Sequence, residues 1–440
     1  MNAKQINKKL TILVLYFLRD IAEVRDVLIK FLYFLKKYQP NHYYIYHDVG
    51  LKFPDYMKHL HYDAVILDVS LLALRFPYNR KYFTAFKDEF NFLKDSNSVK
   101  IGFPQDEYDC CKILDDWLCS WNVQVIFSPL ADNPDLPAIY PNYSRKGVIE
   151  QGYTGYVDDS HFEFSKRALP FEERPIDVGY RARKLPPYFG RIGEIKWRIG
   201  EHFKEAISKY GHLKLDISCD YKDVLLGEDW YNFLGKCRFV LGSLSGSSLL
   251  DPEGEIQQKV RAFCKKKPNY SYEEVERNFF PSQDRYFFTA ISPRNIEAAF
   301  MKTGQILVKG PYSGILEPWK HYIPIDENVS NIDEVLEAMS DHLLTKAMIN
   351  NCYERVSKDP ALHYRTLANK VISYIYDFME HPSDNNISIQ YFIERYNNDI
   401  KPKYKLYQLR LRTFNRIKKL LGISPFIYDL VERIYKKIFY

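Results

Sequence analysis

Tyr286-Phe287-Phe288-Thr289-Ala290-Ile291-Ser292-Pro293-Arg294-Asn295-Ile296-Glu297-Ala298-Ala299-Phe300-Met301-Lys302-Thr303-Gly304 is the stretch on which the fold reading turns. Gln305-Ile306-Leu307-Val308-Lys309-Gly310 and Pro311-Tyr312-Ser313-Gly314-Ile315-Leu316 follow directly. The apolar run Tyr286–Ile291 predicts a strand. Ser292 offers an N-cap, Pro293 suits the first helical position, and Gly304 suits C′. A second strand is expected over 305–310, with a ligand loop at 311–316 that includes Tyr312 and Ser313. A helix held between two apolar strands is a βαβ unit, and ligands sit at the C-terminal ends of its strands. Glu297 lies in mid-helix beside Ala298, Ala299 and Phe300. A carboxylate in so apolar a segment needs a partner, either structural or a bound hydroxyl.

The same alternation runs through the rest of the chain. Strands are predicted at 10–17, 42–47, 62–69, 99–104 and 123–127. The 19–37 helix between the first two carries Ile21, Val24, Val27, Leu28, Phe31 and Leu35 at helical spacing. Such alternation means a doubly wound parallel sheet. Two strand-end loops in this half carry polar groups, one from Asp68 to Arg75 and one at 104–108. In the latter, Asp106 and Glu107 are candidates for a general base towards an acceptor hydroxyl. Equally, Asp106 could cap the next helix with Glu107 in its first turn.

Pro175–Lys184 opens the second half as a strand that ends in Gly179, Arg181, Arg183 and Lys184. Gly190-Arg191-Ile192-Gly193 precedes a helix predicted over 194–210. This is neither GxGxxG nor a Walker loop. Glycines, a helix N-terminus and Arg181, Arg183 and Arg191 could still cradle a phosphate, or the cations could simply face solvent. The strand Cys237–Gly242 empties into Ser243-Leu244-Ser245-Gly246-Ser247-Ser248-Leu249-Leu250-Asp251-Pro252. Ser245 and Ser247 are small hydroxyl groups suited to a sugar or phosphate. Asp251 reads as a nucleophile or stabiliser of a cationic sugar, or as a turn residue before proline.

Two domains are natural for 440 residues, and 46% hydrophobic with 27% charged residues is ordinary for a globular chain. The 36 tyrosines fit a compositional bias of the genome as well as sugar stacking. Seven cysteines without a CxxC, and no signal peptide, point to a reducing cytosol and no zinc site. The formal charge of +6 is concentrated at the end of the chain. Residues 401–440 hold eleven Lys and Arg against two acids, a net +9, which leaves −3 for the rest. Leu409, Leu411, Phe414, Ile417, Leu420 and Leu421 interleave with those cations and predict a basic amphipathic helix, broken at Gly422 and Pro425. Such a helix suits an anionic membrane surface, or a packed helix with solvated cations. No RRM, KH or helix-turn-helix signature accompanies it, so nucleic acid is not an expected partner.

Glu297-Ala298-Ala299 with Gly304 before the next strand resembles the Glu-Ala-x-x-x-x-Gly helix of GT-B glycosyltransferases, where the Glu holds the ribose hydroxyls of a nucleotide sugar. Retaining members carry a second Glu eight residues earlier, where this chain has Thr289. Pro104-Gln105-Asp106-Glu107-Tyr108 looks like a phrase in sugar transferases of surface-polysaccharide clusters. It also resembles, together with Ser245-Gly246-Ser247-Ser248-x-x-Asp251, short phrases of retaining β-Kdo transferases.

The resemblance implies an α/β GT-B fold, two Rossmann-like domains facing a cleft. The domains are expected at 1–155 (acceptor side), 174–345 (nucleotide sugar) and 346–400 (helices crossing back), with a linker at 156–173 and the tail at 401–440. It implies a metal-independent transfer, retaining in kind, from a UDP-, GDP- or CMP-sugar to a glycan or lipid-linked glycan, as in bacterial O-antigen or lipopolysaccharide assembly. The place would be the cytoplasmic face of the inner membrane, with no cofactor beyond the donor. Donor contacts would fall to Glu297, Arg294, Ser292, Arg181, Arg183, Arg191, Ser245, Ser247, Tyr312 and Ser313. Catalytic roles would fall to Asp106 and Glu107, and to Asp251 as covalent nucleophile if the donor is CMP-Kdo. The reading from another class is a degenerate glycan-binding scaffold, motivated by the missing Glu.

Overall fold

Thr11–Tyr16 is an unbroken apolar run apart from Thr11, and all of its side chains are buried. Ile12 and Val14 join one core, while Leu13 and Leu15 join another. A strand buried on both faces needs helices above and below it, which parallel crossover connections supply. The computed structural model, which describes residues 8–211, 213–380 and 388–420, carries this pattern through two sheets.

In the first sheet, β1 (Thr11–Tyr16), β2 (Tyr43–Asp48), β3 (Ala64–Leu67), β4 (Val99–Gly102), β5 (Val125–Ser128) and β6 (Val148–Gln151) run parallel in the order β2-β1-β3-β4-β5-β6. β6 lies beyond the five strands predicted for this half. It is an edge strand with half-buried Val-Ile-Glu-Gln, so it lacks the apolar run that marks the others.

The second half holds β7 (Ile176–Arg181), β8 (Leu215–Ser218) and β9 (Cys237–Gly242). β10 (Ser245–Ser247) and β11 (Phe288–Ala290) then form an antiparallel ribbon of their own. With β12 (Gly304–Val308) and β13 (Ile323–Ile325), the second parallel sheet has the order β13-β12-β9-β7-β8. The strand predicted at 286–291 is therefore not a member of the sheet. The places beside β12 are taken by β9 and β13, and β11 pairs with β10 instead. The capped helix does form, over Pro293–Phe300, with Ser292 and Asn295 making a capping box. Gly304 is not its C′ residue. Lys302 takes the left-handed conformation at φ 48°, and Gly304 begins β12, where a Cβ would sit 2.5 Å from the Phe239 ring.

The architecture is GT-B: two doubly wound parallel sheets facing one another across a cleft. The domains are joined more than once. Val157 donates its N–H to Leu362 at 2.7 Å, and Tyr364 donates back to Val157 at 3.2 Å. The Tyr364–Phe378 helix then buries Leu367, Val371, Ile372 and Ile375 against the first domain. Each such side chain contributes about 1.5–3 kcal/mol of apolar burial.

A single helix, Ser388–Leu420, follows, running across the boundary expected at 400 into the tail. Tyr396, Ile400, Tyr407, Gln408 and Phe414 are buried on its inner side. One face of the predicted basic helix is thus packed on the first domain. The side chains of Ile417 and Leu420, and all of Leu421, Gly422 and Pro425, lie outside the described residues. Among the described residues no helix is long and apolar enough to cross a membrane.

Candidate active site

The loops that follow β1, β4, β7, β8, β9 and β11 converge on a cleft of ≈ 310 Å³ between the domains. Strand C-termini of an open parallel sheet are where ligands collect. Arg181, Arg183, Lys196, Trp230, Ser245, Ser292, Arg294 and Glu297 face it from the second domain. Arg25, Asp26, Gln105, Asp106 and Tyr108 face it from the first.

Glu297 is neither ion-paired nor sealed away. Trp230 donates its indole N–H to Oε2 at 2.7 Å. Burial raises the carboxyl above its ordinary range, while that hydrogen bond and the charges of Arg294, Lys30 and Arg25 pull it back. One carboxylate oxygen is thus oriented by the protein at the wall of an open cleft.

The cations cluster beside it. Arg294, in the first turn of the Pro293–Phe300 helix, donates to the Arg181 carbonyl at 2.6 Å and lies 5.5 Å from the Trp230 ring centre. Lys196 projects from the Gly190–Ile207 helix and donates to Ser245 Oγ at 3.0 Å. Loss of hydration and the neighbouring Arg294 bring its ammonium down to about 8. Arg183 lies 5.3 Å from the Tyr221 ring centre. Arg25 precedes the Asp26–Tyr38 helix and reaches in from the opposite domain. Lost hydration and the like charges of Arg294 and Arg183 lower its guanidinium from the usual value. Among the described residues Arg25 has no carboxylate within ion-pair distance, so its charge is available to an anion.

Asp106 and Glu107 are adjacent in sequence but face opposite ways. Asp106 takes a left-handed backbone at φ 49° and is exposed in the cleft, where Oδ1 accepts from the Tyr108 hydroxyl at 2.7 Å. Glu107 turns into the first core. It accepts from the Tyr140 hydroxyl at 2.7 Å, and burial pushes its carboxyl up to about 7. The fully buried Arg75 sets this loop by donating to the carbonyls of Leu72, Gln105, Asp106 and Asp109. Neither Asp106 nor Glu107 caps the next helix, whose first flanking residue is Cys110.

Several sequence candidates lie elsewhere. Asp251 is 3% exposed, and its carboxylate accepts the Gln257 N–H at 2.9 Å at the start of the Glu255–Lys266 helix. Its backbone bridges the domains, donating to Tyr108 at 3.0 Å and accepting from Cys110 at 2.7 Å. It is a capping group at the junction, outside the cleft lining, and the nucleophile expected there is set aside. Arg191 pairs with Glu327 at 3.2 Å, away from the cleft. The glycines beside it are no phosphate cradle. They form the first helical turn, and a Cβ on Gly190 would lie 2.2 Å from Ser248 Oγ. Ser247 closes a turn on Leu249. Tyr312 and Ser313 are likewise engaged within the second domain, Tyr312 donating to the Val308 carbonyl and Ser313 Oγ accepting the Ile291 N–H. Arg181 lines the cleft but is tied to Asp216 at 2.8 Å.

Nothing in the sequence singles out Lys196, Arg25 or Trp230. Lys196 is hidden in a helix just after a loop richer in arginine. Arg25 reads as part of an amphipathic helix, and nothing local to Trp230 announces a carboxylate 67 positions away. Among the described residues no group of three or more His, Cys, Asp or Glu side chains is placed to hold a metal ion.

No family model matches this chain, and no curated protein matches it. Solved structures resemble it over most of its length. HepE of Anabaena in complex with UDP-glucose is 9% identical, with a TM-score of 0.46, covering 84% of this chain and 100% of that one. A glycosyltransferase from Rickettsia africae is 11% identical, with a TM-score of 0.46 over 85% of this chain and 100% of that one. An alpha-glucosyltransferase in complex with UDP-glucose and DNA containing an abasic site is 10% identical, with a TM-score of 0.49 over 84% and 100%. These likenesses are of fold, and no residue role is carried across from them.

Proposed function

We propose that the chain is a glycosyltransferase that moves a sugar from a nucleotide donor held by the second domain to an acceptor hydroxyl presented by the first. The observation that carries this reading is the convergence, in one cleft, of Glu297 with Lys196, Arg183 and Arg294 on one wall and of Asp106 with Arg25 on the other. Glu297 would accept from the ribose hydroxyls. The cations would meet the charge that gathers on the leaving phosphate as the glycosidic bond breaks. Asp106 is the one sequence-nominated carboxylate that faces the cleft from the acceptor side, and it would receive the acceptor proton. Retention rests on resemblance alone, that of the Glu297 helix and of the 104–108 and 245–251 phrases. Asp251 caps a helix start outside the cleft lining, so its position lends no support to the alternative of a covalent aspartyl adduct from CMP-Kdo. Calorimetry with UDP, GDP, CMP and their sugar conjugates tests the reading. At least one class should bind, and a chain that binds none is not this enzyme.

A membrane-bound acceptor, such as a lipid-linked glycan of a surface polysaccharide, is the second part of the proposal. Lys401, Lys405, Leu409 and Arg416 recur along the exposed side of the Ser388–Leu420 helix, with Leu406 and Leu409 47% and 61% exposed. Each cation near an anionic surface contributes about 1 kcal/mol. Vesicles of phosphatidylcholine with phosphatidylglycerol should sediment the chain, and salt at about 0.5 M should release it by screening. Equal behaviour with neutral vesicles would remove the membrane from the proposal.

A further inference from the structure

The segment that leads from β1 into the cleft is held by the far end of the chain. Ile21–Glu23 forms a single 3-10 turn with no buried side chain, so apolar packing does not fix it. Its ties are polar. Gln408 Oε1 accepts the Ile21 N–H at 3.0 Å, and Gln408 Nε2 donates to the Arg19 carbonyl at 2.8 Å. Asn415 Nδ2 donates to Asp20 Oδ2 at 3.1 Å, and Arg412 Nε lies 3.6 Å from Asp20 Oδ1. Asp20 in turn caps the turn by accepting the Ala22 N–H. Two residues beyond the turn comes Arg25, in the cleft.

Gln408 is 5% exposed and uses both ends of its amide on backbone groups almost 390 positions earlier. A buried amide that satisfies one N–H and one C=O of a segment whose turn has no buried side chain of its own is a strut. On the reading above, that the cleft binds a nucleotide diphosphate, we propose that Gln408 is a positioning residue. It holds the 19–25 segment so that Arg25 stands opposite Arg183 and Arg294 as the first domain's cation for the phosphates. The helix that offers cations to a surface on its outer side thereby braces the donor site on its inner side.

Gln408→Leu keeps the size of the side chain and removes both hydrogen bonds, while Gln408→Glu keeps only the acceptor for Ile21. Amide hydrogen exchange of residues 19–26 reads the strut without any ligand. It should quicken in Gln408→Leu, and less so in Gln408→Glu, while exchange in β1 and β3 stays as in the wild type. Calorimetry with UDP, GDP and CDP reads the consequence. Affinity for the preferred diphosphate should fall about three- to tenfold in Gln408→Leu, the worth of lost hydrogen bonds. In an Arg25→Gln background the same substitution should cost nothing more, because contacts that act through one group are not additive. Unchanged exchange at 19–26 overturns the inference, as does an equal loss in both backgrounds, which is what general destabilisation gives. Failure of the wild-type chain to bind any of the three diphosphates overturns the diphosphate-donor form of the transferase reading instead, and the exchange measurement then decides the strut by itself.

Discussion

Lys196→Met should lower kcat/KM for the nucleotide sugar by about two to three orders of magnitude, the size of effect seen when one preorganised donor is removed from a developing anion. Lys196 is the cleft cation best placed for that role. It stands on a helix rather than a loop, and Ser245 Oγ holds its ammonium at 3.0 Å. The wild-type enzyme should also show a pH dependence of definite sign. Burial and the neighbouring Arg294 bring the Lys196 ammonium down to about 8. A bound diphosphate favours the charged form, so the bound-state value lies higher. Below pH 8 the lysine is already protonated and affinity is flat. Above it, binding must take up a proton, and affinity falls by up to about tenfold per pH unit. Lys196→Arg should abolish the fall while retaining binding, since a guanidinium stays charged throughout. Diphosphate affinity measured from pH 6.5 to 9.5 checks this, and a flat wild-type profile would remove Lys196 from the phosphate site.

Glu297→Ala should weaken nucleotide binding by about 10- to 100-fold, since a hydrogen bond to a charged group is worth about 1.5–3 kcal/mol. The specific signature is discrimination between sugars of the nucleoside. A carboxylate that accepts from the ribose makes the wild type prefer the ribonucleotide over its 2′-deoxy form. That preference should vanish in Glu297→Ala, because the deoxy compound has nothing left to lose. If the variant keeps the preference, Glu297 holds Trp230 in place and does no more. Its position argues for the ligand role. A raised carboxyl with one oxygen fixed by an indole, at the edge of open space, costs stability that a purely structural side chain would not need to impose.

Much of the frame was legible along the chain. The strand at 11–16, the helix capped by Ser292 and Pro293, and the strand at 237–242 are marked by apolar runs, caps and breakers within a few residues of each other. Errors occur where a local signal had two physical uses. Gly304 reads as a helix stop, yet it is a glycine because the Phe239 ring leaves no space for a Cβ. Asp251 reads as a poised carboxylate, yet it is consumed by backbone amides at a helix start. The run at 286–291 is apolar enough for a sheet, but the ladder beside β12 was already complete.

Alternation of strand and helix, and so the two parallel sheets, is written in the sequence, because burial on both faces of a strand demands continuous apolar residues and that demand is met residue by residue. Which polar side chains meet in the cleft is not. Lys196 finds Ser245 across 49 positions, Glu297 finds Trp230 across 67, and Gln408 reaches the turn before Arg25 across 387. Asp106 and Glu107 are neighbours that a single left-handed residue sends to opposite sides. A polar group's role is set by the partner that folding brings within about 3 Å, and no spacing along the chain encodes that distance.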